Sequence, residues 1–269
     1  KRLILPAVLL AAGILLGYRW HEWRVASPPG QFVMPKRIVD LSLTISEDLP
    51  LRRLGARAVQ FLQFPAKTSF KKIVIDQPNL YVSDSVYELI NHVGTHLDPA
   101  NHMIKGALSA DGYPLTKLIG RARVLDFRNK PRDEPITVAD LKGKGIQPGD
   151  IVIVYTGYLP PTHDSEWPSY PYLSGEAAEW LAQLPIKAFA SDMPSLGSFR
   201  RYPELMRTGK SPGELVPEHI AFLTREIPNI EGLTNLESLL GEPNVVFVGF
   251  PLKVKDSDGG LMRAAALVY

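Results

Sequence analysis

Three histidines and an aspartate lie within residues 92–102, which read His-Val-Gly-Thr-His-Leu-Asp-Pro-Ala-Asn-His. Imidazole nitrogen and carboxylate oxygen are ligands that Zn²⁺ and Mn²⁺ accept. The chain has no cysteine, so a metal site here must use nitrogen and oxygen only. A single histidine on a strand is more often a hydrogen-bonded core residue, but half of the six histidines lie in this window. A metal site is therefore the leading hypothesis, and the fold must bring these side chains together.

The spacing of the histidines is compatible with two local structures. On a helix, His92 and His96 would share one face, but the metalloprotease version of that arrangement needs a glutamate after the first histidine. The run 85–90 instead contains β-branched and aromatic residues in rough alternation, which predicts a strand running into His92. Alternate residues of a strand point the same way, so His92, His96 and Asp98 would converge. Pro99 would then end the strand.

The window resembles the signature of the cyclase family of metal hydrolases, which includes bacterial kynurenine formamidase and isatin hydrolase. That signature reads His-x-Gly-Thr-His-x-Asp-x-Pro-x-His, and this chain departs from it only in having Pro99 in place of a proline at residue 100. A second match is His219 followed by Glu231 within the stretch Glu-Gly-Leu-Thr-Asn-Leu. Further matches lie at 136–141, 148–158, 191–196 and 250–264. The resemblance extends from about Arg37 to Tyr269.

The resemblance implies a metal centre and a catalytic base. It implies five metal ligands, which are His92, His96, Asp98, His219 and Glu231. Asp98 would be able to bridge two ions, so the implied cofactor is one or two divalent ions, Zn²⁺ or Mn²⁺. His102 is implied as the base, because an imidazole that titrates near neutral pH can take a proton from water and return it.

Three further residues are predicted to contact the substrate. Tyr158 stands where relatives commonly carry tryptophan, which suggests an aromatic wall but puts kynurenine-type specificity in doubt. Asp192 and Ser195 resemble family positions near the active site. The alternative for Asp192 is a turn-forming residue at the end of a strand.

The reaction implied by the resemblance is hydrolysis of a C–N bond, in a small amide or cyclic amide, by metal-activated water. The alternative is a structural or accessory subunit that is tethered to a larger membrane complex and keeps a hydrolase-like metal site. The presence of the presumed ligands does not distinguish an enzyme from an accessory subunit, since a bound metal can simply stabilise a fold.

Residues 1–24 have the composition of a membrane anchor or signal segment. Lys1 and Arg2 precede the apolar run from Leu3 to Gly17, and an aromatic and basic cluster follows at 18–24. The favoured interpretation is an uncleaved anchor with the domain outside the cytoplasm, on the periplasmic side. Because the run is shorter than the roughly 20 residues of a membrane span, a cleaved signal and an exported soluble enzyme is the alternative. Residues 25–36 would form a linker.

Residues 37–269 are predicted to form a single domain of the mixed α/β class, with a largely antiparallel sheet and flanking helices. Strands are expected at 38–45, 71–75, 122–127, 151–155, 188–191 and 245–250. Helices are expected at 138–142, 175–183 and 217–224.

Charge and composition narrow the range of partners. The formal net charge is only +2, and no long basic run is interleaved with aromatic residues, so nucleic-acid binding is not expected. The expected partners are a small-molecule substrate, a membrane through the N-terminal segment, and either further copies of the chain or a membrane complex.

Overall fold

The computed structural model describes residues 33–209 and 212–269. The strands are β1 (Arg37–Asp40), β2 (Ser69–Gln77), β3 (Leu80–Glu88), β4 (His96–Asp98), β5 (Ile119–Asp126), β6 (Pro135–Ile136), β7 (Ile151–Tyr155), β8 (Tyr172–Leu173), β9 (Ala188–Ser191), β10 (Asn229–Glu231), β11 (Val245–Pro251) and β12 (Gly260–Val268). The α-helices are α1 (Leu49–Leu62), α2 (Val138–Leu141), α3 (Gly175–Ala182), α4 (Tyr202–Arg207), α5 (Pro212–Leu215) and α6 (Pro217–Leu223).

The main sheet closes on itself into a barrel of seven strands within the described chain. The strand order is β12-β11-β5-β7-β9-β10-β4, and β4 pairs again with β12. Neighbours are parallel from β5 to β10 and antiparallel elsewhere, while β1 pairs with β12 alone. The predicted mixed α/β class is confirmed, but closure of the sheet was not predicted.

Strand β7 separates two apolar layers. Ile151 and Ile153 point into the barrel, whereas Val152 and Val154 point outward and pack against helix residues of α3 and α6. All four side chains are fully buried. Successive residues of a strand point to opposite faces, so a strand buried on both faces is continuously apolar. The helices therefore flank the barrel, as expected.

Most predicted elements coincide with observed ones, and the two largest omissions have a physical reason. Three of the five buried positions of β12 are glycine or alanine, which have little intrinsic preference for strands. Helix α1 contains Gly55 at a φ of 76°, which interrupts the helical pattern. The segment 260–268 therefore gives no clear period from its sequence, and Gly55 argues against a continuous helix at 49–62.

The prediction of a membrane-anchored protein with its domain outside the cytoplasm is not upheld. In the part of the chain that the structure describes, no helix is both long and apolar enough to cross a membrane. The 14 residues of α1 include three arginines, whereas a span needs about 20 mostly apolar residues. The proposed anchor at 1–24, and all but the end of the linker, lie outside the described residues.

Strands β2 and β3 form a separate antiparallel hairpin, here called the hairpin arm (residues 69–88). The pairing runs from Ser69 opposite Glu88 to Gln77 opposite Leu80. Every residue of the two strands except Phe70 is exposed. The arm therefore packs little against the rest of the described chain.

Candidate metal centre

Strand β4 carries two of the presumed ligands and lies between β10 and β12. His96 and Asp98 are two residues apart, so their side chains share one face of the strand, as predicted. The β4–β10 register places Glu231 directly opposite His96. Opposed residues in a sheet have their Cβ atoms about 5 Å apart, so strand pairing by itself joins residues far apart in sequence.

The expectation that His92 lies on the same strand is wrong. Strand β4 begins only at His96, and the backbone before it turns at Gly94, which has a φ of 72°. A turn at positive φ breaks the two-residue period of a strand. His92 still reaches the centre, because its Nδ1 atom lies 2.9 Å from Oδ1 of Asp98.

A tight contact holds the turn before β4 against the segment that follows β10. The hydroxyl of Thr95 donates to the carbonyl oxygen of Gly232 at 2.7 Å and accepts from the backbone N–H of Leu43 at 2.9 Å. Gly232 has a φ of 71°, and a Cβ built there would lie 2.3 Å from the carbonyl oxygen of Gly94. Only glycine fits between the two ligand-bearing segments.

We therefore expect Gly232→Ala to destabilise the fold far more than Gly106→Ala. Both glycines have positive φ, but a Cβ at Gly106 meets no atom within 4 Å. In both variants, placing a residue with a Cβ atom at positive φ should lower the free energy of unfolding by about 1–2 kcal/mol. Overpacking against the Gly94 carbonyl should add about 1–3 kcal/mol for Gly232→Ala alone. Urea unfolding of both variants in EDTA measures the difference, and equal losses would contradict the close approach.

His96 indicates most directly that a cation belongs in this centre. Its Nδ1 atom donates to the carbonyl oxygen of Gly94 at 3.1 Å, which leaves the lone pair of the neutral ring on Nε2. That Nε2 atom lies 3.3 Å from Oδ1 of Asp98 and 3.7 Å from Oε2 of Glu231. A neutral ring in this position needs a cation between its Nε2 lone pair and the carboxylates, and in the absence of a cation a second ring proton on Nε2 supplies the positive charge. Burial lowers the pKa of His96, but the two carboxylates outweigh it and raise that pKa.

His219 completes the cluster from helix α6. Its Nε2 atom lies 3.2 Å from Oε1 of Glu231 and 3.7 Å from Oδ2 of Asp98. Burial and the charge of Asp98 raise the pKa of Glu231. Burial also acts to raise the pKa of Asp98, but hydrogen bonds from His92 and His96 hold it well below its usual range. Two buried carboxylates repel each other, and a shared cation relieves that repulsion.

The ligand atoms form three overlapping groups, in each of which they lie within 4.8 Å of one another. The groups are His92, His96 and Asp98; Asp98, His219 and Glu231; and His92, His102 and Asp258. The first two share Asp98 and together contain all five presumed ligands. The donors are nitrogen and oxygen only and all but His92 are buried, so the residues fit a divalent cation such as Zn²⁺ or Mn²⁺.

His102 lies beside this cluster at the end of a 3-10 helix, Ala100–His102. Its ring centroid is 4.1 Å from that of His92, and its Nδ1 atom is buried without a hydrogen-bond partner in the described chain. Burial lowers the pKa of His102 to about 4, although the charge of Asp98 opposes the shift. The ring is therefore neutral at physiological pH, but it is a weaker base than the imidazole titrating near neutral pH that was expected from the sequence.

A cavity of about 570 Å³ opens onto the cluster. The presumed ligands His92, His96, Asp98, His219 and Glu231 lie on its wall together with His102. The remaining wall is largely apolar and includes Leu54, Phe61, Leu62, Phe64, Phe199, Tyr202 and Val216. Its volume is within the range of small-molecule sites.

The structure separates the three predicted substrate contacts. Ser195 lines the metal cavity. Asp192 instead accepts hydrogen bonds of 2.9 Å from the backbone N–H groups of Thr156 and Tyr158. Asp192 and Tyr158 line a neighbouring cavity of about 270 Å³. Asp192 thus holds the loop after β7, and its contact with a substrate stays a prediction.

Sequence reasoning missed three polar residues on the cavity wall, Asn91, Asp258 and Arg53. Asn91 donates to Oδ1 of Asp258 at 2.7 Å, and Oδ2 of Asp258 lies 4.0 Å from Nε2 of His92. Asp258 belongs to the matching stretch 250–264, so the resemblance contained a signal for it. Arg53 was also missed, and its guanidinium lies 4.5 Å from the ring centroid of Tyr158. No motif includes the segment that carries it.

Residues 39–198 match the family described as putative cyclase. The chain belongs to the cyclase family. It is thus a metal-dependent amidohydrolase of the cyclase type, and the resemblance drawn from its motifs is confirmed. The rival interpretation, a membrane-tethered accessory subunit, has no support from the family match or from the described residues.

Two relatives named kynurenine formamidase match over most of their own length. A kynurenine formamidase of Erythrobacter litoralis is 27% identical over 241 residues, which cover 85% of this chain and 93% of the relative. A kynurenine formamidase of Salinibacter ruber is 27% identical over 178 residues, covering 65% of this chain and 76% of the relative.

Solved structures share the fold. Isatin hydrolase A from Labrenzia aggregata, bound to benzyl benzoate, superposes with a TM-score of 0.66 at 21% identity, covering 86% of this chain and 93% of that one. A predicted metal-dependent hydrolase from Bacillus stearothermophilus gives 0.59 at 23% identity, covering 86% and 97%. These structures show that the chain shares its three-dimensional fold with these hydrolases.

Proposed function

We propose that the chain hydrolyses a C–N bond of a small amide or cyclic amide with the help of one or two divalent cations, Zn²⁺ or Mn²⁺. The residues that would hold the cations are His92, His96, Asp98, His219 and Glu231. The observation that carries the proposal is the convergence of buried imidazole and carboxylate groups, in which Nε2 of His96 lies 3.3 Å from Asp98 and 3.7 Å from Glu231. That arrangement is stable when a positive charge lies between the three groups.

When bound, a divalent cation supplies Lewis-acid activation of a carbonyl group and of water. His102 supplies the proton transfer. Its neutral ring takes a proton from the attacking water and returns it to the nitrogen that leaves, so the imidazole ends each cycle as it began. The Gly94 carbonyl and the Thr95 hydroxyl keep His96 and its strand in place while this happens.

The cavity favours a flat, apolar substrate body beside the reacting amide. Phe61, Phe64, Phe199 and Tyr202 contribute aromatic side chains to its wall, and Ser195 adds a hydroxyl group 3.1 Å from that of Tyr202. The relatives reported above are named kynurenine formamidase and isatin hydrolase. We accordingly propose aryl formamides and aromatic lactams as the first substrates to examine.

The purified chain is expected to contain close to one or two divalent ions and to hydrolyse at least one aryl formamide or lactam. Elemental analysis measures the first, and a panel of formanilide, isatin and dihydrocoumarin measures the second. Dihydrocoumarin is a lactone, so comparing its cleavage with that of the other two compounds distinguishes hydrolysis of a C–O bond from hydrolysis of a C–N bond. If activity is lost in a chelator and returns with Zn²⁺ or Mn²⁺, the hydrolysis depends on the bound metal.

Two results would count against the proposal. One is a chain that neither contains stoichiometric metal nor takes it up on reconstitution. The other is a fully loaded chain that cleaves only the lactone, since the reaction would then be ester rather than amide hydrolysis.

A further inference from the structure

Two imidazole nitrogens on the wall of the metal cavity are buried without a hydrogen-bond partner. They are Nε2 of His92 and Nδ1 of His102, and no atom of residues 33–209 or 212–269 pairs with either. The two rings are neighbours, with centroids 4.1 Å apart. A buried polar atom that gains no hydrogen bond loses its hydration without compensation. Both nitrogens are therefore available to a ligand.

The orientation of the His92 ring places its lone pair on Nε2. The Nδ1 atom of His92 lies 2.9 Å from Oδ1 of Asp98. An ionised carboxylate only accepts hydrogen bonds, so Nδ1 is the nitrogen that carries the proton and donates it. A neutral imidazole has one donor and one acceptor nitrogen, which makes Nε2 the acceptor. His92 thus presents a ligand atom that the contact with Asp98 does not use.

Asp258 brings a carboxylate to the same place. Its Oδ2 atom lies 4.0 Å from Nε2 of His92, and its Oδ1 atom accepts a hydrogen bond of 2.7 Å from Asn91. Gly259 permits this close approach, because a Cβ built there would lie 2.8 Å from Nε2 of His92. One ligand atom from each of His92, His102 and Asp258 lies within 4.8 Å of the other two. These three residues are here called the outer group.

The outer group has the donors and the accessibility of a site for an exchangeable cation. Imidazole nitrogen suits Zn²⁺, whereas Mg²⁺ and Ca²⁺ prefer oxygen ligands. Two ligands on one tetrahedral zinc ion lie about 3.4 Å apart, so the Asp258 carboxylate has to move by less than about 1 Å to complete the site. The Asp258 side chain is 62% exposed, which leaves it free to make that movement. Its exposure also gives an ion a path to and from solvent.

We propose that the outer group binds a further divalent cation of the Zn²⁺ type, and that this ion inhibits hydrolysis. The outer ion takes His92 through Nε2, so four ligands remain for the inner centre, which are His96, Asp98, His219 and Glu231. Coordination by His102 occupies the single lone pair with which its neutral ring would take a proton from water. The binding is independent of the reaction catalysed, whereas the inhibition rests on the proposed function.

A metal titration without substrate tests the site. The chain is first loaded with its tightly bound Zn²⁺, and further Zn²⁺ is then added while binding is followed by calorimetry. We expect one additional, weaker ion that Mg²⁺ does not replace. Asp258→Asn should weaken this ion by more than about 10-fold, the smallest loss typical of changes around a metal. His102→Ala should weaken it as well, and both variants should retain the tightly bound metal.

Asp256→Asn is the matched control for the titration. Asp256 is two residues from Asp258, its side chain is 81% exposed, and it lies outside the outer group. Its variant should bind the additional ion with unchanged affinity. Equal weakening by Asp256→Asn and Asp258→Asn would show that the ion responds to surface charge and would overturn the proposal. The absence of an additional ion, or one that Asp258→Asn leaves unchanged, would overturn it too.

Rates measured at rising free Zn²⁺ test the consequence for the reaction. The native chain and Asp256→Asn should be inhibited as the additional ion binds, with an inhibition constant equal to its dissociation constant. In Asp258→Asn the inhibition constant should rise by more than about 10-fold, together with the dissociation constant. An additional ion that binds without slowing an active chain would refute the inhibition. A chain without hydrolytic activity would refute the proposed function and the inhibition that rests on it, while the titration still decides whether the outer group binds an ion.

Discussion

Replacing Asp98 by asparagine is expected to remove the metal and with it the hydrolytic activity. Asp98 lies 2.9 Å from His92, 3.3 Å from His96 and 3.7 Å from His219, so it is the one acid in contact with all three imidazoles. Loss of an outer-shell partner alone typically costs 10- to 100-fold in metal affinity or activity. Loss of a shared ligand should exceed about 100-fold in both.

Metal content by elemental analysis and initial rates at saturating substrate check this prediction. Asp256→Asn is a matched control, because the Asp256 side chain is 81% exposed and lies outside the cluster. It should keep both metal and activity. An Asp98→Asn protein that retains stoichiometric metal would show that the cation binds elsewhere in the chain.

The second large effect is expected for His102→Ala, which should keep its metal and lose hydrolysis. Removing a general base typically slows a reaction by about 10²- to 10⁴-fold. The position of His102 beside His92, with an unpartnered and buried Nδ1 atom, supports this role. If His102→Ala loses the metal together with the activity, His102 is instead a metal ligand, in the group that it forms with His92 and Asp258.

Rate and metal content must therefore be measured on the same preparation. His163→Ala is a suitable control, since it removes a histidine outside the cluster. Its rate and metal content should match those of the unsubstituted chain. A His102→Ala protein with normal metal and normal rate would exclude this residue from the proton transfer.

The extent to which the sequence predicted this site differs from residue to residue. His96 and Asp98 followed from the two-residue period of a strand, and that period holds between them. The position of His92 did not follow from that period, because the positive φ of Gly94 interrupts the extended backbone between His92 and β4. His219 and Glu231 were found by resemblance alone. The reason they meet the others is the β4–β10 register, which is a long-range property that no local pattern encodes.

The fold shows the same division between local and distant information. Continuous apolar runs such as β7 were predicted correctly, because burial on both faces leaves a strong local signal. Closure of the barrel requires β12 to pair with both β11 and β4, across more than a hundred residues in the second pairing. The cavity wall from α1 was likewise missed, since Gly55 interrupts the period that would have identified the helix.

The pairing of β4 with β12 also determines when the centre can assemble. During synthesis β4 leaves the ribosome long before β12, so the strand carrying His96 and Asp98 must wait for the partner that borders it at Gly260 and Leu261. Contacts of such large sequence separation form slowly, because a long loop has to close first. The nascent chain therefore offers an incomplete set of ligands for most of its synthesis. We therefore expect the arrangement of the five presumed ligands to be completed only after β12 has paired with β4.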